Sequence, residues 1–319
     1  MMRSFLIYLS KAVWARRILT GWGVARRAAS RFYAGVSIED AIQKIKALND
    51  RGINATLDHL GEHTTNREEA QRATQDLIDV IEAIQKSGVR SNVSLKLTQL
   101  GLAVDQAMCA ENLSSILACA QKYKMFVRID MEESSLVDTT LNLYNEMRRR
   151  GFDNVGVVIQ SYLYRSQRDI EDLLKTGTHV RLCKGAYKEP ADVAFPKKKD
   201  VDANYDRLAD LLIEGEKANG LPEATPDGRI PPIPGIASHD IRRIEHAKNY
   251  ARQVKLPQNA IEFQMLYGIR RDLQEKLAEE GYPVRVYVPY GTEWYPYYMR
   301  RLAERPSNVW FFISNFFKG

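Results

Sequence analysis

From residue 37 onward the chain alternates short runs rich in β-branched and aromatic residues with longer stretches whose apolar positions recur every three or four residues. The first such stretch, SIEDAIQKIKALND (37–50), sets Ile38, Ala41, Ile42, Ile45 and Leu48 on one stripe. It opens with Ser37 and Asp40, the spacing of a helix-capping pair. Eight β-rich runs follow: INATLDHLG (53–61), VSLKLTQLG (93–101), FVRIDME (126–132), VGVVIQSYL (155–163), HVRLCKGAY (179–187), GIASHD (235–240), IEFQMLYG (261–268) and VRVYVPYG (284–291). Helical patterns lie between them at Arg67–Gln85, Val104–Lys122, Leu136–Arg150, Ser166–Lys175, Ile241–Val254 and Leu273–Glu280. Eight strands, each followed by a helix, is the count that closes a (βα)₈ barrel, a TIM-like α/β fold.

The longest connection, between the fifth and sixth runs, holds Lys197, Lys198 and Lys199, a helical pattern over Asp202–Ala218, and five of the twelve prolines (Pro222, Pro226, Pro231, Pro232 and Pro234). It reads as a long surface excursion, with no domain boundary in it. The expected organisation is an N-terminal helical arm over 1–50, a barrel over 51–306 and an apolar tail over 307–319.

Composition narrows the picture where the pattern does not. At 319 residues with 45% hydrophobic positions, the chain is long enough for a large core. Its three cysteines show no C-x-x-C spacing, so a cysteine metal site or disulfide framework is not expected. The net charge of +6 is unevenly placed. Seven of the 46 basic residues (Arg3, Lys11, Arg16, Arg17, Arg26, Arg27 and Arg31) precede Ile38 with no acid among them, which leaves 39 basic against 40 acidic residues in the remainder. A nucleic-acid partner, which needs a basic face on the body, is therefore not expected. The arm reads as a basic helical segment that docks on the body or touches a membrane surface; a removable presequence is the alternative. Its apolar run Phe5–Leu9 is far shorter than the ~20 residues that span a bilayer. The expected location is the cytoplasm, peripherally on the inner face of the membrane, or mitochondrial if the arm is a presequence.

In a (βα)₈ barrel the chemistry sits at the C-terminal ends of the strands. Polar residues crowd there: Asp58 and His59; Lys96, Thr98 and Gln99; Arg128, Asp130 and Glu132; Gln160 and Tyr162; Arg181 and Lys184; Ser238, His239 and Asp240; Gln264 and Tyr267; Tyr287 and Tyr290. Buried charges are costly unless paired or meeting a ligand, so their recurrence at one end points to a polar ligand site; salt-bridged layers filling the mouth are the plainer alternative. Lys96 could form a Schiff base or pair with Asp130, and pairing is favoured. His59 and His63 flank Gly61, which breaks the helix a two-histidine zinc motif needs, so no metal is expected. After the eighth run, EWYPYYMRRLAERP (293–306) forms a helix stopped by Pro306. Its adjacent Arg300 and Arg301 leave the helix ~100° apart and can grip one carboxylate from two sides, with Glu304 spaced to hold them. A plain surface triad is the alternative.

SLKLTQLG (94–101), RIDME (128–132), IQSYL (159–163), RLCKGAY (181–187), ASHD (237–240), FQMLYG (263–268), YVPYG (287–291) and YYMRRLAERP (297–306) together resemble the flavin-dependent proline dehydrogenases, most closely the compact monofunctional bacterial form. The resemblance implies a distorted (βα)₈ barrel that binds FAD, oxidises L-proline to Δ¹-pyrroline-5-carboxylate and passes electrons to a membrane quinone. A separate pyrroline-5-carboxylate dehydrogenase would then take the product. By the same resemblance, Arg300, Arg301 and Lys96 hold the proline carboxylate and Glu304 steadies the arginines. Asp130 lies beside the substrate, Arg181 meets flavin N5, and Leu266, Tyr287 and Tyr187 wall the substrate ring. Met131, Gln160, Lys184, Gly185, Ala186, Ser238 and His239 match FAD contacts.

Two departures stand out. The sixth run is preceded by PPIPG where the family has a more apolar, proline-free approach, and Cys183 stands where valine is usual. Two other readings remain at this point: a Schiff-base aldolase or lyase using Lys96 or Lys184, and a non-enzymatic membrane-surface module built on the arm.

Overall fold

The computed structural model describes residues 29–61, 63–220 and 224–304, with the side chains of 303 and 304 excepted. Most of the basic arm, the apolar tail, Pro306 and the Glu304 side chain lie outside the described residues. Eight parallel strands close into a barrel in chain order: β1 (Asn54–His59), β2 (Ser91–Leu95), β3 (Val127–Ile129), β4 (Val155–Gln160), β5 (Val180–Cys183), β6 (Pro234–Ala237), β7 (Glu262–Leu266) and β8 (Val284–Tyr290). β1 closes the ring on β8 with pairs running from Asn54↔Arg285 to His59↔Tyr290. Helix α1 (Ile38–Asn49) precedes the barrel. The helices that follow are α2 (Arg67–Ser87), α3 (Gln106–Lys122), α4 (Val137–Arg149), α5 (Ser166–Leu174), α6 (Lys198–Ala218), α7 (Ile241–Gln253), α8 (Arg271–Glu279) and α9 (Trp294–Glu304).

The helix starts follow from their capping residues. Ser37 accepts from the Asp40 backbone at 3.2 Å and Asp40 accepts from the Ser37 backbone at 3.5 Å, closing the expected capping box of α1. The apolar stripe of that helix (Ala41, Ile42 and Ile45) is buried in the core it shares with β1 and β8. Asn66, Asp105 and Asp240 cap α2, α3 and α7 in the same manner.

Two expectations change. Thr98 and Gln99 do not extend β2: Leu97–Leu100 is a 3₁₀ turn that ends on Gly101 in the left-handed region. The long fifth connection is not a surface excursion. Its helix begins four residues earlier than expected, and Leu208, Leu212 and Ile213 are fully buried, as for any barrel helix. The described part of the proline-rich segment then plugs the N-terminal end of the barrel. The Gly228 carbonyl accepts from Arg285 at 2.9 Å, the Arg229 carbonyl accepts from Asn92 at 3.4 Å, and Arg229 reaches the Tyr123 carbonyl at 2.7 Å. Pro234 opens β6 as the partner of Val180, which fixes that strand between β5 and β7.

Alternation along the strands separates two kinds of core. Val93, Val127, Ile129, Leu182, Phe263 and Val286 belong to the apolar core between strands and helices. The other face meets across the lumen, because the hydrogen bonds there join strands that are not neighbours. Arg181 of β5 reaches Ser94 of β2 at 3.1 Å and Gln264 of β7 at 2.6 Å. The lumen is thus filled by a polar chain. Arg285 grips Glu262 through two bonds at 2.8 and 2.9 Å, and Gln264 donates to Glu262 at 2.6 Å. Arg128 completes the layer with no carboxylate at hydrogen-bond distance among the described residues: it donates to the Val157 carbonyl at 2.9 Å and lies 4.7 Å from the Phe126 ring centroid. Burial, followed by the charge of Arg181, lowers its pKa well below the ordinary value. Its neighbour on β4 must be Gly156, where a Cβ would come within 2.9 Å of Arg128 Nη1 and 2.3 Å of the His179 carbonyl oxygen.

Because Arg285 and Glu262 are 1% and 0% exposed, removing one partner leaves a buried charge without compensation. Glu262→Ala is expected to cost about 3–5 kcal/mol, read as a lower urea midpoint; a midpoint equal to that of the unaltered protein would contradict this role for the pair.

Candidate active site

At the C-terminal ends of the strands the polar chain rises to the barrel mouth. Arg181, 7% exposed, is held from three directions: Nε donates to Gln264 at 2.6 Å, and Nη1 donates to Asp130 at 2.8 Å and Ser94 at 3.1 Å. Asp130 takes Arg181 on Oδ1 and the Tyr287 hydroxyl on Oδ2, the latter at 2.8 Å. Both carboxylate oxygens are therefore used, and the Tyr287 ring lies 5.3 Å from the Arg181 guanidinium carbon. Burial, then the charges of Asp130 and Asp58, raise the Tyr287 phenol well above its ordinary pKa, so it remains a neutral donor.

Lys96 follows β2 and stands 3.6 Å from Asp58, 3.8 Å from Asp130 and 3.5 Å from the Tyr287 hydroxyl. The favoured pairing with Asp130 is present, and Asp58 adds a second carboxylate. Such a setting suits an ammonium, not the neutral amine that Schiff-base chemistry requires. Lys184 is likewise committed, at 2.6 Å to Asp202 of α6 and 2.9 Å to Asp240. Cys183 is no thiolate nucleophile, since desolvation pushes its thiol up to about 12.

The remaining predicted residues surround this cluster. Gln160 ends β4, donates to the Met131 and Glu132 carbonyls at 3.4 and 3.2 Å, and among the described residues its buried Oε1 has no hydrogen-bond partner. Ser238 and His239 follow β6. Ser238 accepts from the Asp240 backbone at 3.1 Å, and His239 Nε2 takes the Leu266 N–H at 2.9 Å. That acceptor role assigns the ring proton to Nδ1. Leu266 is the last residue of β7 and is half-buried at the mouth; Gly185, Ala186 and Tyr187 follow β5 in a partly exposed segment.

Helix α9 begins four residues after β8 and carries Arg300 and Arg301, both half-buried. Arg301 stacks its guanidinium carbon 5.1 Å from the Tyr297 ring centroid, one turn earlier. The helix packs with Leu60, just past β1, and with Ile269, just past β7, so its position is over the mouth. Three participants were not singled out as site residues from sequence. Asp58 and Gln264 stood among the strand-end polar residues, and Ser94 shares the inward alternation of Asn92 and Lys96. Period-two spacing from Lys96 and Leu266 was the signal that points to Ser94 and Gln264.

Comparison with known proteins follows the same lines. A family model described as proline dehydrogenase matches residues 41–313. The chain is 41% identical to proline dehydrogenase 2 of Bacillus subtilis (strain 168), over 97% of this chain and 96% of that one. It is 42% identical to the proline dehydrogenase of Deinococcus radiodurans, over 91% and 90% respectively. Among solved structures it is similar to proline utilization A of Bdellovibrio bacteriovorus inactivated by N-propargylglycine. The TM-score there is 0.77 at 27% identity, covering 88% of this chain and 33% of that longer one.

The raised phenol of Tyr287 gives a signed expectation. Its folded pKa exceeds the unfolded value of about 10, so its contribution is complete below that pH and is lost as pH rises beyond it. Relative to Tyr287→Phe, the native protein should lose stability by about 1.4 kcal/mol per pH unit above ~10, measured by urea melts. A difference that does not change with pH would contradict the assignment.

Proposed function

The chain belongs to the proline dehydrogenase family, and from that premise we propose that it is an FAD-dependent enzyme that oxidises L-proline to Δ¹-pyrroline-5-carboxylate and delivers the electrons to a membrane quinone. One pair of atoms supports this most directly. The buried Gln160 Oε1 is an acceptor without a donor, and Arg181 Nη2 is a donor with no hydrogen bond among the described residues. Gln160 is the last residue of β4, and Arg181 sits in β5 two residues before its end. An acceptor and a fixed cation there suit a heteroaromatic ring that offers N–H and ring-nitrogen edges, as the flavin of FAD does. Arg181 and Gln160 would hold that ring, with Met131, Lys184, Gly185, Ala186, Ser238 and His239 as further contacts.

When bound, FAD supplies the two-electron acceptor for hydride leaving the proline ring carbon next to nitrogen. The chain's own residues do the rest. Arg300 and Arg301 bind the substrate carboxylate as paired forks, and Lys96 adds a third cation. Leu266, Tyr187 and the Tyr287 ring wall the substrate ring and exclude water, which favours the neutral amine over the ammonium. The nitrogen lone pair released by that deprotonation forms the C=N bond as hydride departs. Asp130 does not touch the moving hydride. It fixes Arg181 with one oxygen and Tyr287 with the other, so the cation and the wall keep one relative placement.

Among the described residues no helix is long and apolar enough to cross a membrane. The seven basic residues before Ile38 supply another route to a quinone: attraction to anionic lipid on the inner face of a cytoplasmic membrane. The cyclic imine product calls for a separate dehydrogenase that oxidises its hydrolysed form.

Arg301→Ala removes charge-assisted bonds worth about 1.5–3 kcal/mol, so KM for proline should rise roughly 10- to 100-fold with bound FAD unchanged. An unaltered KM would overturn the clamp. Deleting residues 1–28 should abolish sedimentation with anionic vesicles at low salt; undiminished sedimentation would refute the membrane role of the arm.

A further inference from the structure

We propose that residues 29–35 are a strap that positions the arginine-bearing helix α9 over the barrel mouth, with Phe32 and Tyr33 as positioning residues for substrate binding. The proposal rests on the reading of Arg300 and Arg301 as the carboxylate clamp, and it adds a part that the clamp needs.

Helix α9 has little of the barrel to lean on. It lies beyond β8, and among the described residues those from the barrel that join its apolar cluster are Leu60 and the partly buried Ile269. The other described members outside α9 are the strap residues Ala29, Phe32 and Tyr33. Tyr33 stacks on Trp294 with ring centroids 5.3 Å apart and planes 6° from parallel, and Phe32 meets Tyr298 at 5.8 Å. Trp294, Tyr298 and Leu302 recur every four residues and so form one stripe of the helix. Arg301 is seven residues after Trp294, which turns it only ~20° from that residue around the axis. The side chain that grips substrate is therefore a neighbour of the strap contacts, and Tyr297, which stacks on Arg301, is buried in the same cluster.

The strap is itself anchored. The Ala34 N–H donates to the Pro289 carbonyl at 2.8 Å and the Gly35 carbonyl accepts from Gly291 at 3.0 Å, tying it to the end of β8. At its other end the backbone crosses Gly268, just past β7, so closely that a Cβ there would fall 1.8 Å from the Arg31 carbonyl oxygen. Gly35, at φ +119°, then turns the chain into the capping box of α1. The strap is thus fixed to β7, β8 and α1, and it transfers that fixity to α9 through stacked rings. Aromatic pairs of this kind contribute beyond their buried area, and a displacement of an ångström in a clamp costs substantial binding.

The test compares Tyr33→Ala, Tyr33→Phe and Gly268→Ala in the full-length holoenzyme. Tyr33→Ala removes the stack, and Gly268→Ala displaces the strap backbone without removing any ring. Both should raise KM for proline at least 5-fold with kcat within 2-fold and FAD content unchanged. Tyr33→Phe, which keeps the ring, should retain the native KM. If Tyr33→Ala does not fold, Gly268→Ala and Tyr33→Leu carry the measurement. A purely structural role predicts a lower Tm with unchanged KM in all variants, and that result overturns the proposal. Arg301→Ala separates the two readings: if it raises KM while the strap variants do not, the strap fails and the clamp stands, and if it leaves KM unchanged the clamp fails.

Discussion

The polar chain through the lumen, from Arg285 and Glu262 through Gln264 to Arg181, Asp130 and Tyr287, is the constraint on which the rest of the molecule depends. Most of a barrel interior is expected to be branched apolar side chains. Here the lumen carries charges that water cannot reach, so each must find its partner at a fixed place or the barrel loses several kcal/mol. Gln264 is the joint. Its carbonyl faces Arg181 and its amide faces Glu262, an orientation that only one amide flip satisfies. The register of β7 against β5 and β8 is thereby coupled to the placement of the guanidinium at the mouth.

That coupling gives the site its stiffness. Arg181 is held on two of its nitrogens, so its remaining edge is presented in one direction without cost at the moment of binding. Asp130 joins this cation to the Tyr287 wall, while Lys96 and Asp58 balance charge beside them. In the proposed function, preorganisation comes from the barrel below and substrate recognition from a separate helix above it. The two halves have different supports: the lumen chain is braced by the loop that plugs the barrel floor at Gly228, and α9 by the aromatic cluster with residues 29–33.

Much of this was legible in the residues. The eight strands could be read from β-branched runs separated by helical stripes, and the crowding of charge at strand ends located the mouth. The adjacent arginines were visible because they follow directly on the eighth strand. What could not be read depended on contacts distant in sequence. Proline-rich composition suggested a surface loop at 222–234, yet its backbone carbonyls serve buried Arg285 and Asn92, which no local pattern reveals. Ser94 carried no local sign of a role until β2 placed it opposite Arg181. Lys96 and Thr98 appeared to share one strand, but β2 ends at Leu95 and Thr98 lies in the 3₁₀ turn Leu97–Leu100, which Gly101 closes. Likewise, the need for glycine at 268 arises from a backbone that precedes it by more than two hundred residues.

In the proposed function, a flavin held by Arg181 and Gln160 receives electrons from a proline held by Arg300 and Arg301. The most direct test is an anaerobic titration of the purified protein with L-proline, following the visible flavin band together with cyclic imine formed. The protein should be yellow, and its band should bleach in step with imine, one for one. A protein that neither carries nor takes up FAD, or whose flavin stays oxidised with proline in excess, would contradict that function.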